Sequence, residues 1–204
     1  MAASCGIADF RAADWHAAEA ARIAERYQLP TIEAAIGMYR AMCAALNGDP
    51  AAAAECYRDA ARQLSRLGLR VHGAAVDAMA TSALLITQGR AAEIGDMPSL
   101  ASLFPELYAL GLAAAGHAAE ARSAGGRMLP VPRDRMWLFM TGVRGLLGIA
   151  VDDRERALSA YQALLPYAAQ PAGAEALLIT LWPVAQNTRT SAWALRSTCR
   201  AACC

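Results

Sequence analysis

Few residues in this chain could do chemistry, and the spacing of most ties them to helix ends. The densest acidic group is Asp152, Asp153 and Glu155. Paired carboxylates can exchange protons or hold a cation. Here Arg154 and Arg156 interleave them at the start of a helical pattern, where the dipole favours acids, so capping is the expected role. The histidines are His16, His72 and His117. None accompanies a GxSxG elbow or a catalytic cysteine signature, and His117 reads as a solvent-facing helix cap. Cys199, Cys203 and Cys204 form a CxxxCC cluster without the paired spacing of a zinc site. Cys43 and Cys56 lie inside helical patterns and read as small core residues. The glycines of "GDPAAAAE" and "TQGRAAEIG" do not make a GxGxxG turn after a strand. The chain has no lysine, so a GxxxxGK[ST] phosphate loop is impossible. No catalytic residue, cofactor or metal ligand is therefore assigned, and a non-enzymatic role is expected.

One segment points to recognition instead. "RDRMWLF" combines Arg133, Arg135 and Trp137, and Arg144 interrupts the apolar stretch that follows. Arginine and tryptophan are enriched where partners bind most tightly. Arg144 is expected either to pair with a neighbouring carboxylate or to face a concave groove. Arg133, Arg135, Trp137 and Arg144 are the candidate partner-binding residues. A competing reading is an apolar small-ligand pocket lined by Met136, Trp137 and Met140.

The elements that must position these residues are all helical. Much of the apolar 56% is alanine, and aromatics make up only 6%. Alanine is the best helix former and a poor strand former, and small side chains let helices approach closely. Helices are expected over 9–27, 31–46, 50–67, 70–88, 98–115, 117–125, 134–151, 153–165 and 173–182, with no strand. "GDMPSL" and "GGRMLPVPRD" read as loops, the second as a hinge. Net charge is +1, so no nucleic-acid-binding field is expected. The run from Met136 to Val151 is too short for a membrane span. The first residues lack the basic and apolar regions of a signal peptide. A cytoplasmic location with reduced cysteines is expected. Arginine in place of every lysine, with abundant Ala and Gly, suits a very GC-rich genome.

The helical stripes repeat. Shifting the sequence by 104 residues lays Ile32, Ile36, Tyr39, Cys43 and Leu46 on Met136, Met140, Val143, Leu147 and Ala150. Arg40 then falls on Arg144, Asp49 on Asp153, Ala53 on Ala157 and Tyr57 on Tyr161. A shift of 68 places Gly48 on Gly116 and Ala53 on Ala121, and lets Leu100, Phe104 and Leu107 continue the stripe. "TQGRAAEI" and "GIADFRAAD" offer further joints. At such a joint Gly48 can take the left-handed conformation that ends a helix. Asp49 can cap the next helix, and Pro50 suits its first position. Ala53, Ala121 and Ala157 leave room for close helix contact.

An apolar helix, a Gly-Asp joint and Ala-x-x-x-Tyr-x-x-Ala resemble a degenerate tetratricopeptide repeat. The expected fold is an all-α array of antiparallel helical hairpins, a TPR-like α-solenoid, over residues 1–186. Pro132–Gln186, most distinctively "DDRERALSAYQALLPYA" followed by "PAGA", is similar to the C-terminal helical-repeat region of actinobacterial transcriptional regulators. These are the Streptomyces antibiotic regulatory protein type and the LuxR-type ATPases. That resemblance implies a regulatory segment binding a protein or peptide, possible other domains of a regulator included. Their ATPase and DNA-binding domains have no counterpart here, so neither nucleic-acid nor membrane binding is expected. Residues 187–204, "NTRTSAWALRSTCRAACC", carry no acidic residue and read as an irregular tail left by frameshift or truncation. An inactive fragment of a larger regulator is the third reading.

Overall fold

Seven helix joints share one backbone solution. The structure, a computed structural model, describes residues 1–126, 131, 133–168, 170 and 174. At each joint one residue turns left-handed: Ala8, Gln28, Gly48, Gly68, Gly89, Gly116 and Asp152. The N–H of the following residue then donates to the carbonyl five positions back. Leu29 N bonds Ala24 O at 2.9 Å, Asp49 N bonds Ala44 O at 2.9 Å, and Asp153 N bonds Gly148 O at 2.7 Å. This six-to-one closure satisfies carbonyls that a helix end would otherwise leave open. Three of the joints continue into the same cap. Asp9, Asp49 and Asp153 accept from the backbone N–H three residues on, at 3.0, 2.9 and 3.0 Å. The first four left-handed residues stand twenty apart along the chain. Gln28 and Asp152 hold the place that glycine fills at Gly48.

The helices that result are α1 (Ala2–Gly6), α2 (Phe10–Tyr27), α3 (Pro30–Leu46), α4 (Pro50–Arg66), α5 (Arg70–Thr87), α6 (Leu100–Leu103), α7 (Pro105–Ala114), α8 (Ala118–Gly125), α9 (Trp137–Ala150) and α10 (Arg154–Leu164). Short 3-10 turns cover Ala91–Asp96 and Leu165–Tyr167. The described residues contain no strand, and their regular structure is all helical.

Two differences from the expected elements have plain causes. The stretch 98–115 is not one helix. Pro105 has no N–H to donate and forces Phe104 out of the helical region, to φ −143 and ψ 71. That splits α6 from α7. Helix α9 starts at Trp137 rather than 134, because Asp134 closes a turn first. Its side chain accepts from Met136 N at 2.8 Å, and its carbonyl accepts from Trp137 N at 3.0 Å. The helix expected over 173–182, residue 174 apart, the loop over 127–130 and the tail 187–204 lie outside the described residues.

The chain divides into two compact units, built mainly on Met1–Leu84 and on Leu85–Ala172. In the first, α3 packs on α2 and α4. Ala53 and Tyr57 of α4 are fully buried, and Tyr39 and Met42 of α3 are covered too. The stripe from Ile32 to Leu46 is buried only at its centre, at Ile36 and Tyr39, while Ile32 is exposed. Ala34, Ala41 and Met42 are buried on other sides of α3, since helices flank it on more than one side. Tyr39 Oη donates to Asp14 on α2. Burial, helped by that bond, raises the Tyr39 phenol well above its usual range.

In the second unit α9 packs on α7 and α10, and α7 on α8. Ala109, Leu112, Ala121, Leu147 and Val151 form its core. Arg122 of α8 donates to the Val151 carbonyl at 2.8 Å, closing the end of α9. Backbones meet where glycine removes the Cβ. An atom built on Gly111 would lie 2.4 Å from Gly95 N, and one on Gly148 would lie 2.8 Å from Ala157 N.

Candidate recognition cleft between α9 and α10

Helix α9 places Trp137, Thr141 and Arg144 on one face, since residues three and four apart are neighbours on a helix. Helix α10 answers with Arg156 and Ser159, and with Asp153 at its N-cap. Between them lies a cleft of about 410 Å³. The helices meet closely beside it: a Cβ built on Gly145 would lie 3.3 Å from the Ala160 Cβ, and Gly148 meets the α10 backbone.

Arg144 does both things the sequence allowed. It lines the cleft and also grips a carboxylate. Its Nε and Nη2 donate to the same oxygen of Glu106 on α7, at 2.9 and 2.6 Å. The Glu106 side chain is 6% exposed and that of Arg144 20%. The other oxygen, Glu106 Oε2, is buried and accepts no hydrogen bond. Asp153 serves twice, capping α10 through Oδ1 and holding Arg156 Nε at 3.2 Å through Oδ2. Arg156 Nη1 is also buried without an acceptor.

At the upper end of the cleft an aromatic stack forms. The guanidinium of Arg133 sits 5.1 Å above the Trp137 ring, a favourable place for a cation against the ring's negative face. Tyr167 meets the same indole edge-on, with ring centroids 5.4 Å apart. Three of the four sequence-selected residues are thus brought together: Arg133 on Trp137, and Trp137 with Arg144 in one cleft. Arg135 is exposed in the turn before α9. Met136 and Met140 are half-buried, while the lining beside Trp137 carries hydroxyls, carboxylates and guanidinium groups.

Glu106 was missed from sequence, although it is a lone acid at the start of the apolar helix "PELYALGLAA". His117 differs from the expected cap. It starts α8 without a side-chain cap bond, and its Nδ1 faces Glu120 at 3.6 Å. Asp152 does not cap either. It takes the left-handed position at φ 58 and leaves the cap to Asp153. Cys5 is fully buried, and burial pushes its thiol up to about 11. Among the described residues no cluster of three His, Cys, Asp or Glu side chains could hold a metal. No described helix is long and apolar enough to cross a membrane.

Comparison with family models, with curated proteins and with solved structures found no match.

Proposed function

We propose that the chain is a non-enzymatic interaction module: a TPR-like array of antiparallel helical hairpins acting as the helical-repeat segment of a transcriptional regulator. Its partner is a protein or peptide that docks at the α9–α10 cleft. The observation that carries this reading is that Trp137 and Arg144 line one cleft, with Arg133 stacked on the Trp137 ring. A rigid aromatic with arginine beside it supplies contact area and directed donors, the usual makings of a binding hot spot. The recurring left-handed joint, with an aspartate cap at Asp9, Asp49 and Asp153, supports the repeat reading. A stack of similar units would present such a cleft on a firm scaffold.

The test is affinity capture from the source cytoplasm with the wild-type chain and with an Arg133→Ala, Arg135→Ala, Trp137→Ala variant. A partner held by the wild type and lost from the variant is then purified and titrated by calorimetry. A loss of tenfold or more in affinity is expected. Identical capture by both proteins would refute the assignment of this cleft. Thermal stabilisation by an apolar metabolite, abolished by Trp137→Ala, would favour a ligand sensor instead.

A further inference from the structure

A second cleft, in the first unit, has a different chemistry. It lies between α4 and α5 and has a volume of about 540 Å³. Arg58, Arg62 and Arg66 descend one side of it at four-residue intervals, and Arg70 stands at the start of α5. Asp77 is the one acidic residue among the described residues of the lining. Four guanidinium groups therefore gather against a single carboxylate, in a chain whose net charge is only +1.

The arginines are not consumed by the fold. Arg62 pairs with Asp59, but both side chains are about 60% exposed, and exchanging such a surface pair for another carboxylate costs little. Arg58 donates through Nε to the Ala54 carbonyl at 3.2 Å. Among the described residues no ion pair engages Arg66 or Arg70. The floor is stiff, because a Cβ on Gly73 would lie 2.5 Å from the Ala61 carbonyl oxygen. The two helices are in backbone contact there, which pre-organises the walls.

We propose that this cleft binds an acidic peptide segment in extended conformation. Helix positions four apart are separated by about 6 Å along the axis. Alternate residues of an extended chain are about 6.6 Å apart. A segment with a carboxylate at every second position therefore meets Arg58, Arg62 and Arg66 in step, and Arg70 beyond. Acceptors for its backbone N–H groups are present. Ser65 Oγ spends its proton on Ala61 O at 2.9 Å and can still accept, and Asp77 lies at the far side. A nucleic-acid strand offers similarly spaced charges but no backbone N–H for Ser65 Oγ or Asp77 to accept. Among the described residues no aromatic ring lines the cleft for bases to stack upon.

The probe is a fluorescein-labelled peptide Glu-Ser-Glu-Ser-Glu-Ser-Glu, titrated with the full chain in 50 mM salt and followed by anisotropy. Its Gln-Ser counterpart and an oligothymidylate of ten nucleotides are the comparisons. Saturable binding of the Glu peptide is expected, absent with the Gln peptide and weakened several-fold in 300 mM salt. The double variant Arg66→Gln, Arg70→Gln is expected to lose roughly tenfold in affinity. Ala74→Glu, at an exposed cleft position, places a carboxylate inside without touching an arginine and is expected to weaken binding similarly. Arg26→Gln, on α2, is expected to change nothing. The proposal is overturned if the Glu peptide fails to bind at 1 mM. It is equally overturned if both folded variants bind as the wild type does, or if the oligothymidylate binds more tightly and displaces the peptide.

Discussion

Replacing Arg144 by methionine keeps much of the side-chain volume and removes the guanidinium that Glu106 faces. Both donors to Glu106 Oε1 disappear, and Oε2 already lacks one. A carboxylate that is 6% exposed is then left in the second unit without the partner that offsets its desolvation. Removing one member of a buried pair typically costs about 3–5 kcal/mol. The partial exposure of Arg144 lets water reach the site, so we expect about 3 kcal/mol, or a drop in Tm of roughly 6–12 °C for a chain of this size. Changing both residues, Glu106→Leu with Arg144→Met, removes the stranded charge. That variant is expected to return to within about 1 kcal/mol of the wild type, because an apolar substitute for a buried pair is often neutral. Urea unfolding followed by circular dichroism gives the four corners of the cycle, with constant m-values as the check on comparability. A cost below about 1 kcal/mol for Arg144→Met would refute the reasoning, and so would a double variant less stable than that single one.

Other outcomes follow from the same geometry. Gly111→Ala is expected to destabilise by about 1–3 kcal/mol through overpacking, since its Cβ would meet Gly95 N at 2.4 Å and Ile94 C at 2.7 Å. Gly37→Ala, with only the Ala60 Cβ at 3.6 Å, should be neutral or stabilising by up to about 1 kcal/mol; paired thermal melts check both. Gln28→Gly relieves a left-handed non-glycine residue at φ 53 and should raise stability by up to about 1 kcal/mol, whereas Asp49→Ala removes the α4 cap and should lower it by about 1 kcal/mol. The folded state keeps the Cys5 proton up to about pH 11 against an ordinary 9.0. The stability that Cys5 contributes is therefore fully present below pH 9 and is lost as pH rises towards 11. Cys5→Ala should remove up to about 2 kcal/mol of that alkaline loss, read from Tm between pH 8.5 and 11.

The parts of the molecule legible in the sequence are those decided within a few residues. Asn47-Gly48-Asp49-Pro50 contains the helix end, the cap and the next start, and α3 ends at Leu46 and α4 begins at Pro50, as expected. The joint at Asp152 was readable from its alignment with Gly48, although its left-handed residue is not glycine. The break at Phe104 was overlooked because Leu100, Phe104 and Leu107 fit one stripe, and periodicity carries no penalty for the missing N–H of Pro105. Long-range pairing was not readable at all. Nothing near Arg144 in sequence names Glu106, which lies 38 residues away. The α9 stripe was likewise only half seen, because Phe139 and Thr141, off the stripe, are buried as well.

The left-handed joints have a consequence for how length can change. Each stop is sealed by a bond reaching back five residues, so a helix knows where to end without consulting its neighbours. An added residue in the body of α4 would therefore not be absorbed at Gly68. It would rotate everything between the insertion and that stop by about 100°, carrying Tyr57 or Ala61 off the covered side. The dimension this chain can least afford to vary is the count of residues from one sealed corner to the next.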